Sequence, residues 1–178
     1  ANLSRDAIAQ ETRSVIAGRI ERFRTPDGGY HGALGRPHGS AYGALLAWGA
    51  YADLGRPMPQ EEALGSSLMR LQLQDGSFAN EPGMVEGTTT ATAAAVTLFR
   101  HLGLPHHSGT GNWLLQRIHA SGGFLATPRA PLPDLLSTAT ALHALVSLEI
   151  STGHLRDLCL DFVDSLWSAE GGFHGHWA

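Results

Sequence analysis

The stretch DGGYHG, Asp27 to Gly32, returns three times in altered form: DGSFAN at Asp75 to Asn80, SGGFLA at Ser121 to Ala126 and EGGFHG at Glu170 to Gly175. Its second residue is always glycine (Gly28, Gly76, Gly122, Gly171), spaced 48, 46 and 49 residues apart. An aromatic follows two positions later, as Tyr30, Phe78, Phe124 and Phe173. Four recurrences at a near-constant period signal stacked supersecondary units, each burying its apolar face only against a neighbour.

Working outward from these markers, an apolar stripe at helical spacing precedes each one. It predicts amphipathic helices over 6–23, 60–73, 110–119 and 155–168. The first carries Ile8, Val15, Ile16, Ile20 and Phe23, and the last Leu158, Phe162, Leu166 and Trp167. After each of the first three markers comes a polar loop, then a nearly uncharged segment rich in small residues, at 40–54, 88–102 and 137–150. Segments so poor in charge belong where most of their surface is covered. The turns GRPMP and GLPHH supply the glycine and proline expected past a helix end.

Each unit therefore reads as an outer amphipathic helix, a glycine–aromatic turn and an inner helix. The expected fold is all-α: one domain over 1–178, a partial α/α toroid of about three and a half hairpins of ~48 residues. An open solenoid of the HEAT type has a comparable period but lacks the glycine–aromatic turn. EGGFHGHWA stops where a fourth inner helix would begin. The expectation is a fragment, or a ring completed by further copies or a partner subunit.

Composition narrows the function. The 178 residues hold 12 Lys+Arg against 16 Asp+Glu, a formal charge of −4. No clustered basic surface for nucleic acid is present. The single cysteine, Cys159, excludes an internal disulfide and any zinc site needing two thiolates from this chain. No run reaches the ~18 apolar residues of a spanning helix, and the N-terminal sequence lacks the apolar core of a signal peptide. The expected location is the cytoplasm.

LQLQDGSF, Leu71 to Phe78, resembles the QW-type repeat of squalene and terpene cyclases, with Phe78 where those often place Trp. DGGYHGALGRPHGSAYGALLAWGAYADLG, from Asp27, resembles the repeat of protein prenyltransferase β-subunits. So do the stretches from Asp75 to Gly103 and from Ser121 to Leu148. The resemblance spans essentially the whole chain. It implies a toroid whose central cavity accepts an isoprenoid, its diphosphate or a similar apolar chain, in a prenyltransferase-like or cyclase-like protein. The alternative is a binding or assembly module that kept the repeats and lost the catalytic motifs.

Candidate site residues cluster in the loops before the inner helices, at the expected cavity mouth. His38 and Glu86 each fall ten residues after a marker glycine and Asp134 twelve, and these three are the catalytic candidates. Helix N-termini converging there present free N–H groups to an anion or a metal-bound group. Equally, Asp134, Thr88 and Ser40 suit N-caps. Arg36 and Arg129 are the mouth-loop candidates for a diphosphate, since a guanidinium donates two parallel hydrogen bonds. Tyr42, Trp48, Tyr51 and Phe99 are candidates for the cavity wall, or core.

The family zinc implied by the resemblance uses an Asp and a Cys two residues apart. Asp134 aligns with that Asp, but Leu136 stands in place of the Cys. Asp157 and Cys159 have that spacing on an outer helix, where Cys159 reads as a small buried hydrophobe. The acidic Asp-x-Asp-Asp motif of class II cyclases is absent, and Asp161 and Asp164 are separate carboxylates on an outer helix. His174 and His176 have chelating spacing, with His31 in the equivalent place after the first marker, but zinc normally wants three protein ligands. Zinc and magnesium remain the cofactor candidates, with no ligand set assigned. LGRPHGSAYG, Leu34 to Gly43, is also loosely similar to a loop of lanthionine-forming cyclases, whose zinc needs two cysteines.

Overall fold

The computed structural model describes residues 8–177. Its helices are α1 (Gln10–Glu21), α2 (Ala41–Asp53), α3 (Glu61–Met69), α4 (Thr89–Leu102), α5 (Thr110–Leu115), α6 (Leu135–Ser147) and α7 (Arg156–Ser165). Two antiparallel pairs of two-residue strands join them: β1 (Phe124–Leu125) with β2 (Pro133–Asp134), and β3 (Trp167–Ser168) with β4 (Gly172–Phe173). The architecture is all-α, as the repeats require. The inner helices α2, α4 and α6 pack side by side, and α1, α3 and α5 each pack on the inner helix that follows.

The outer helices are shorter than their apolar stripes predict. They end at Glu21, Met69, Leu115 and Ser165, because the next residues enter the marker turn. Arg24, Gln72 and Ile118 form backbone bridges to the marker aromatics Tyr30, Phe78 and Phe124, and Trp167 pairs with Phe173. Residues 6 and 7 of the first expected helix lie outside the described residues.

The four turns share one hydrogen-bond pattern. The amides of Gly28, Gly76, Gly122 and Gly171 donate to the carbonyls of Thr25, Leu73, His119 and Ser168. These glycines hold φ of +88°, +85°, +94° and +91°, a region L side chains rarely enter. The first three also touch the next outer helix. A Cβ on Gly28 would stand 2.6 Å from Ala63 Cβ, and one on Gly76 2.8 Å from the Thr110 amide nitrogen. On Gly122 it would overlap the Leu158 carbonyl. The repeating glycine thus sets both the turn and the approach of consecutive hairpins.

Inner helices begin on side-chain caps. Ser40 accepts from the Gly43 amide, Thr88 from Ala91 and Asp134 from Ser137. The first amide of each inner helix is bonded by the following repeat: Ala41 N to Asn80 O at 3.0 Å, Thr89 N to Ala126 O at 2.9 Å and Leu135 N to Gly175 O at 2.8 Å. Buried hydroxyls on α4 and α6 hold the marker amides, Thr92 accepting from Phe78 N and Thr138 from Phe124 N. Small residues (Ala44, Ala91, Ala95, Ala141, Ala144) let the inner helices meet closely. Fully buried Leu64, Leu98, Leu114 and Leu145 each contribute about 1.5–3 kcal/mol. The marker aromatics Tyr30, Phe78 and Phe124 are buried, whereas Phe173, with no inner helix after it among the described residues, is 51% exposed.

Candidate functional site

Side by side, the three inner helices leave a groove of about 670 Å³, within the range of ligand sites. Each helix contributes a stripe at helical spacing. The stripe on α4 is Thr90, Ala93, Ala94 and Thr97, and on α6 it is Leu136, Ala139, Thr140 and His143. Tyr42 and Leu45 come from α2, and Asn80 and Thr88 close the loop end. Among the described residues no charged side chain lines this groove, and His143 is its one titratable imidazole. Tyr42 is 59% exposed and Leu136 63%, large side chains on its lining.

Of the aromatics expected on the wall, Tyr42 faces the groove. Trp48 lies six residues on, about 240° around the helix, and stacks on His101 with ring centroids 4.0 Å apart. Phe99 is two residues past Thr97, on the opposite face, and packs edge-on to Phe78 in the core. Tyr51 is buried and donates to Glu21 at 2.7 Å; burial and that carboxylate push its pKa up to about 12. Thr97, Thr140, His143 and Asn80 were not singled out from sequence. The i, i+3, i+4, i+7 stripes on α4 and α6 are the signal that finds the first three.

The charged candidates stand in the mouth loops, and all but Asp134 stand in ion pairs. Arg36 Nη2 meets Glu81 Oε2 at 2.8 Å, and His31 Nε2 lies 3.3 Å from Glu81 Oε1. Those two partners hold the Glu81 carboxyl below its ordinary pKa, the His31 hydrogen bond most strongly. Arg129 meets Glu86 at 2.5 Å. His38 Nδ1 lies 3.7 Å from Asp27 Oδ2. Both Arg pairs cross from one repeat to the next, as braces between loops.

Asp134 acts as the α6 cap with both oxygens: Oδ1 accepts from Ser137 N at 2.7 Å and Oδ2 from Ser137 Oγ at 2.6 Å. Helix N-terminal amides are similarly committed, most fully in α2. In α2 the first three are bonded to Asn80 O, Asn80 Oδ1 and Ser40 Oγ. Of the N–H groups offered to an anion, the first and third of each inner helix are taken up by the next repeat's loop and by caps, as is the second of α2.

Asp27 is the most heavily bonded carboxylate described. It accepts from Thr25 Oγ1, the Gly29 and Gly39 amides and Ser67 Oγ, with Arg70 at 3.3 Å. Burial alone would raise its pKa, but the bonds from Thr25, Gly29, Ser67 and Arg70 hold it at about 2. Its signal in sequence is the Asp before the marker glycine, an Asx-turn residue; Asp75 repeats it by accepting from Ser77. Cys159 is buried, and burial raises its thiol pKa. Among the described residues no group of three His, Cys, Asp or Glu is placed to hold a metal ion. No helix among them is long and apolar enough to cross a membrane.

With this geometry in hand, comparisons fix the kinship. The family model described as the prenyltransferase alpha-alpha toroid domain matches residues 2–106 and again 92–178. No curated protein shows significant sequence similarity to the chain. Of 35 matching chains of solved structure, one is Candida albicans protein geranylgeranyltransferase-I complexed with GGPP. It superposes with a TM-score of 0.75 at 16% identity, over 90% of this chain and 52% of that one. The chain thus spans about half the length of this structural relative.

Proposed function

The chain belongs to the prenyltransferase alpha-alpha toroid family, and from that membership we propose that its inner groove binds an isoprenoid or similar apolar chain in uncharged form, as an alcohol or hydrocarbon. The observation that carries this reading is the lining. The groove is walled by Ala, Thr, Leu and Tyr, with no charged side chain among the described residues. The nearby arginines are engaged by Glu81 and Glu86. A diphosphate needs guanidinium or ammonium groups free to meet it; a hydrocarbon needs apolar wall, and an alcohol one or two hydroxyl or amide partners of the kind Thr97, Thr140 and Asn80 offer. His143 at the groove is suited to accept or donate a single hydrogen bond.

The test is a binding titration with farnesol and with farnesyl diphosphate, on the wild type and on Ala139→Trp, which fills the groove from an exposed helix position. Farnesol should bind the wild type at least ~10-fold more tightly than it binds the variant, about 1.4 kcal/mol. Equal affinities would remove the groove from the account.

A second reading, transfer from a prenyl diphosphate, draws on the solved relative, whose description includes GGPP, and on His38, Glu86, Asp134, Arg36 and Arg129 sharing the mouth loops. Under it the ion pairs of Arg36, His38 and Arg129 open on substrate binding. Preferential binding of farnesyl diphosphate with release of inorganic diphosphate would favour it. Closure of the ring by further copies or a partner subunit is a proposal that either reading accommodates.

A further inference from the structure

One buried cation is used neither by the groove nor by the loop braces. Arg117 lies five residues before the third marker glycine, where the other repeats place Phe23, Leu71 and Leu166. Its backbone does the common job: the Arg117 carbonyl accepts from Leu125 N, as those of Phe23, Leu71 and Leu166 do from His31, Ala79 and His174. The turn therefore asks nothing of the side chain, and an apolar residue would serve. Arg117 is nevertheless only 8% exposed, and its Nε and Nη1 are buried with no hydrogen-bond partner among the described residues. Leaving a guanidinium buried and unbonded is strongly unfavourable.

The guanidinium lies over the Trp113 ring, 4.6 Å from its centroid. It borders a cleft of about 370 Å³ outside the central groove, walled also by Asp75, Asn112, Gln116 and Pro128. Asp75 and Glu86 act on it through space, but each is committed elsewhere, Asp75 to Ser77 and Glu86 to Arg129. We propose that this cleft is a binding site for a small monoanionic carboxylate, held by Arg117 with the Asn112 and Gln116 amides at its rim. A carboxylate reaching the Nη2 edge of the guanidinium supplies acceptor oxygens to Nη2 and to one of the two unpaired nitrogens, in the planar geometry that edge matches. The Asp75 charge on the same wall disfavours phosphate dianions and diphosphate. The site stands independently of the groove reading and does not need it.

The experiment uses acetate and benzoate as probes, with inorganic phosphate, diphosphate and chloride at matched ionic strength as comparisons, on the wild type, Arg117→Leu and Arg117→Lys. Arg117→Leu installs the residue that two other repeats already carry, so it should fold and melt at or above the wild type. At about ten times the dissociation constant, carboxylate should raise wild-type melting by roughly 3–6 °C. That rise should vanish in Arg117→Leu and shrink in Arg117→Lys, and the Arg117 Nε–H resonance should move during the titration. Three results would each overturn the proposal: the same rise in Arg117→Leu, no carboxylate response in the wild type, or a larger response to phosphate or diphosphate. So would Arg117→Leu melting well below the wild type, since Arg117 would then be a structural partner of Asp75 and Glu86.

Discussion

Replacing a marker glycine by alanine separates the two demands placed on it, because the repeats offer the same turn in two surroundings. Gly122 and Gly171 have φ of +94° and +91° and the same amide-to-carbonyl bond. Around Gly171 nothing among the described residues approaches within 4 Å of an added Cβ, whereas at Gly122 that Cβ would run into the Leu158 backbone at α7. Gly171→Ala should therefore cost only the backbone term, about 1–3 kcal/mol. Gly122→Ala adds the displacement of α7, about 1–3 kcal/mol more, for a total of about 2–6 kcal/mol. Urea unfolding followed by circular dichroism measures both. With a slope of about 1–3 kcal/mol per molar, the Gly122→Ala midpoint should lie roughly 1 M below that of Gly171→Ala. Coincident midpoints would refute the claim that the marker glycine sets the approach of consecutive hairpins, since the backbone term is common to both.

The other outcomes concern the carboxylates and the mouth. Asp27 is held at about 2, against an ordinary 3.8. Its folded pKa is depressed, so its contribution is present above pH 4 and is lost as pH falls from about 4 to about 2. The shift corresponds to about 2 kcal/mol, and unfolding midpoints of Asp27→Asn should vary less over that window than those of the wild type; parallel curves would contradict this. Asp134→Asn should leave stability nearly unchanged and Asp134→Ala should cost about 0.5–2 kcal/mol, read by thermal melting. Loss of prenyl diphosphate turnover in Asp134→Asn at unchanged melting would instead make the carboxylate catalytic. Arg36→Ala, breaking a half-exposed pair, should change stability by less than about 1 kcal/mol and leave farnesol affinity unaltered in the binding titration.

The repeat architecture was legible because its cause is local and strict: a positive φ and a crowded turn admit only glycine, so Gly28, Gly76 and Gly122 stand out at a fixed period. The caps Ser40, Thr88 and Asp134 were legible for a similar reason, being short polar side chains before uncharged helices. The ends of the outer helices were not, since Gln72, Ile118 and Trp167 fall within the expected helical segments yet leave the helix for a backbone bridge. Side-chain direction on the inner helices was also hidden. In a helix apolar on most sides, Tyr42, Trp48 and Phe99 look equivalent, and only the packing of neighbouring helices separates groove from core. The pairing of Arg36 with Glu81 and of Arg129 with Glu86 joins residues one repeat apart, a register that spacing alone did not reveal. Arg117 was visible in principle, as the one charged residue in a column of Phe23, Leu71 and Leu166.

Native mass spectrometry of the purified chain, before and after incubation with farnesol, tests the central claim most directly. The groove reading predicts an adduct of isoprenoid mass, co-purified or acquired, that is lost in Ala139→Trp. A chain that stays free of adduct under both conditions, or whose adduct survives Ala139→Trp unchanged, would contradict it.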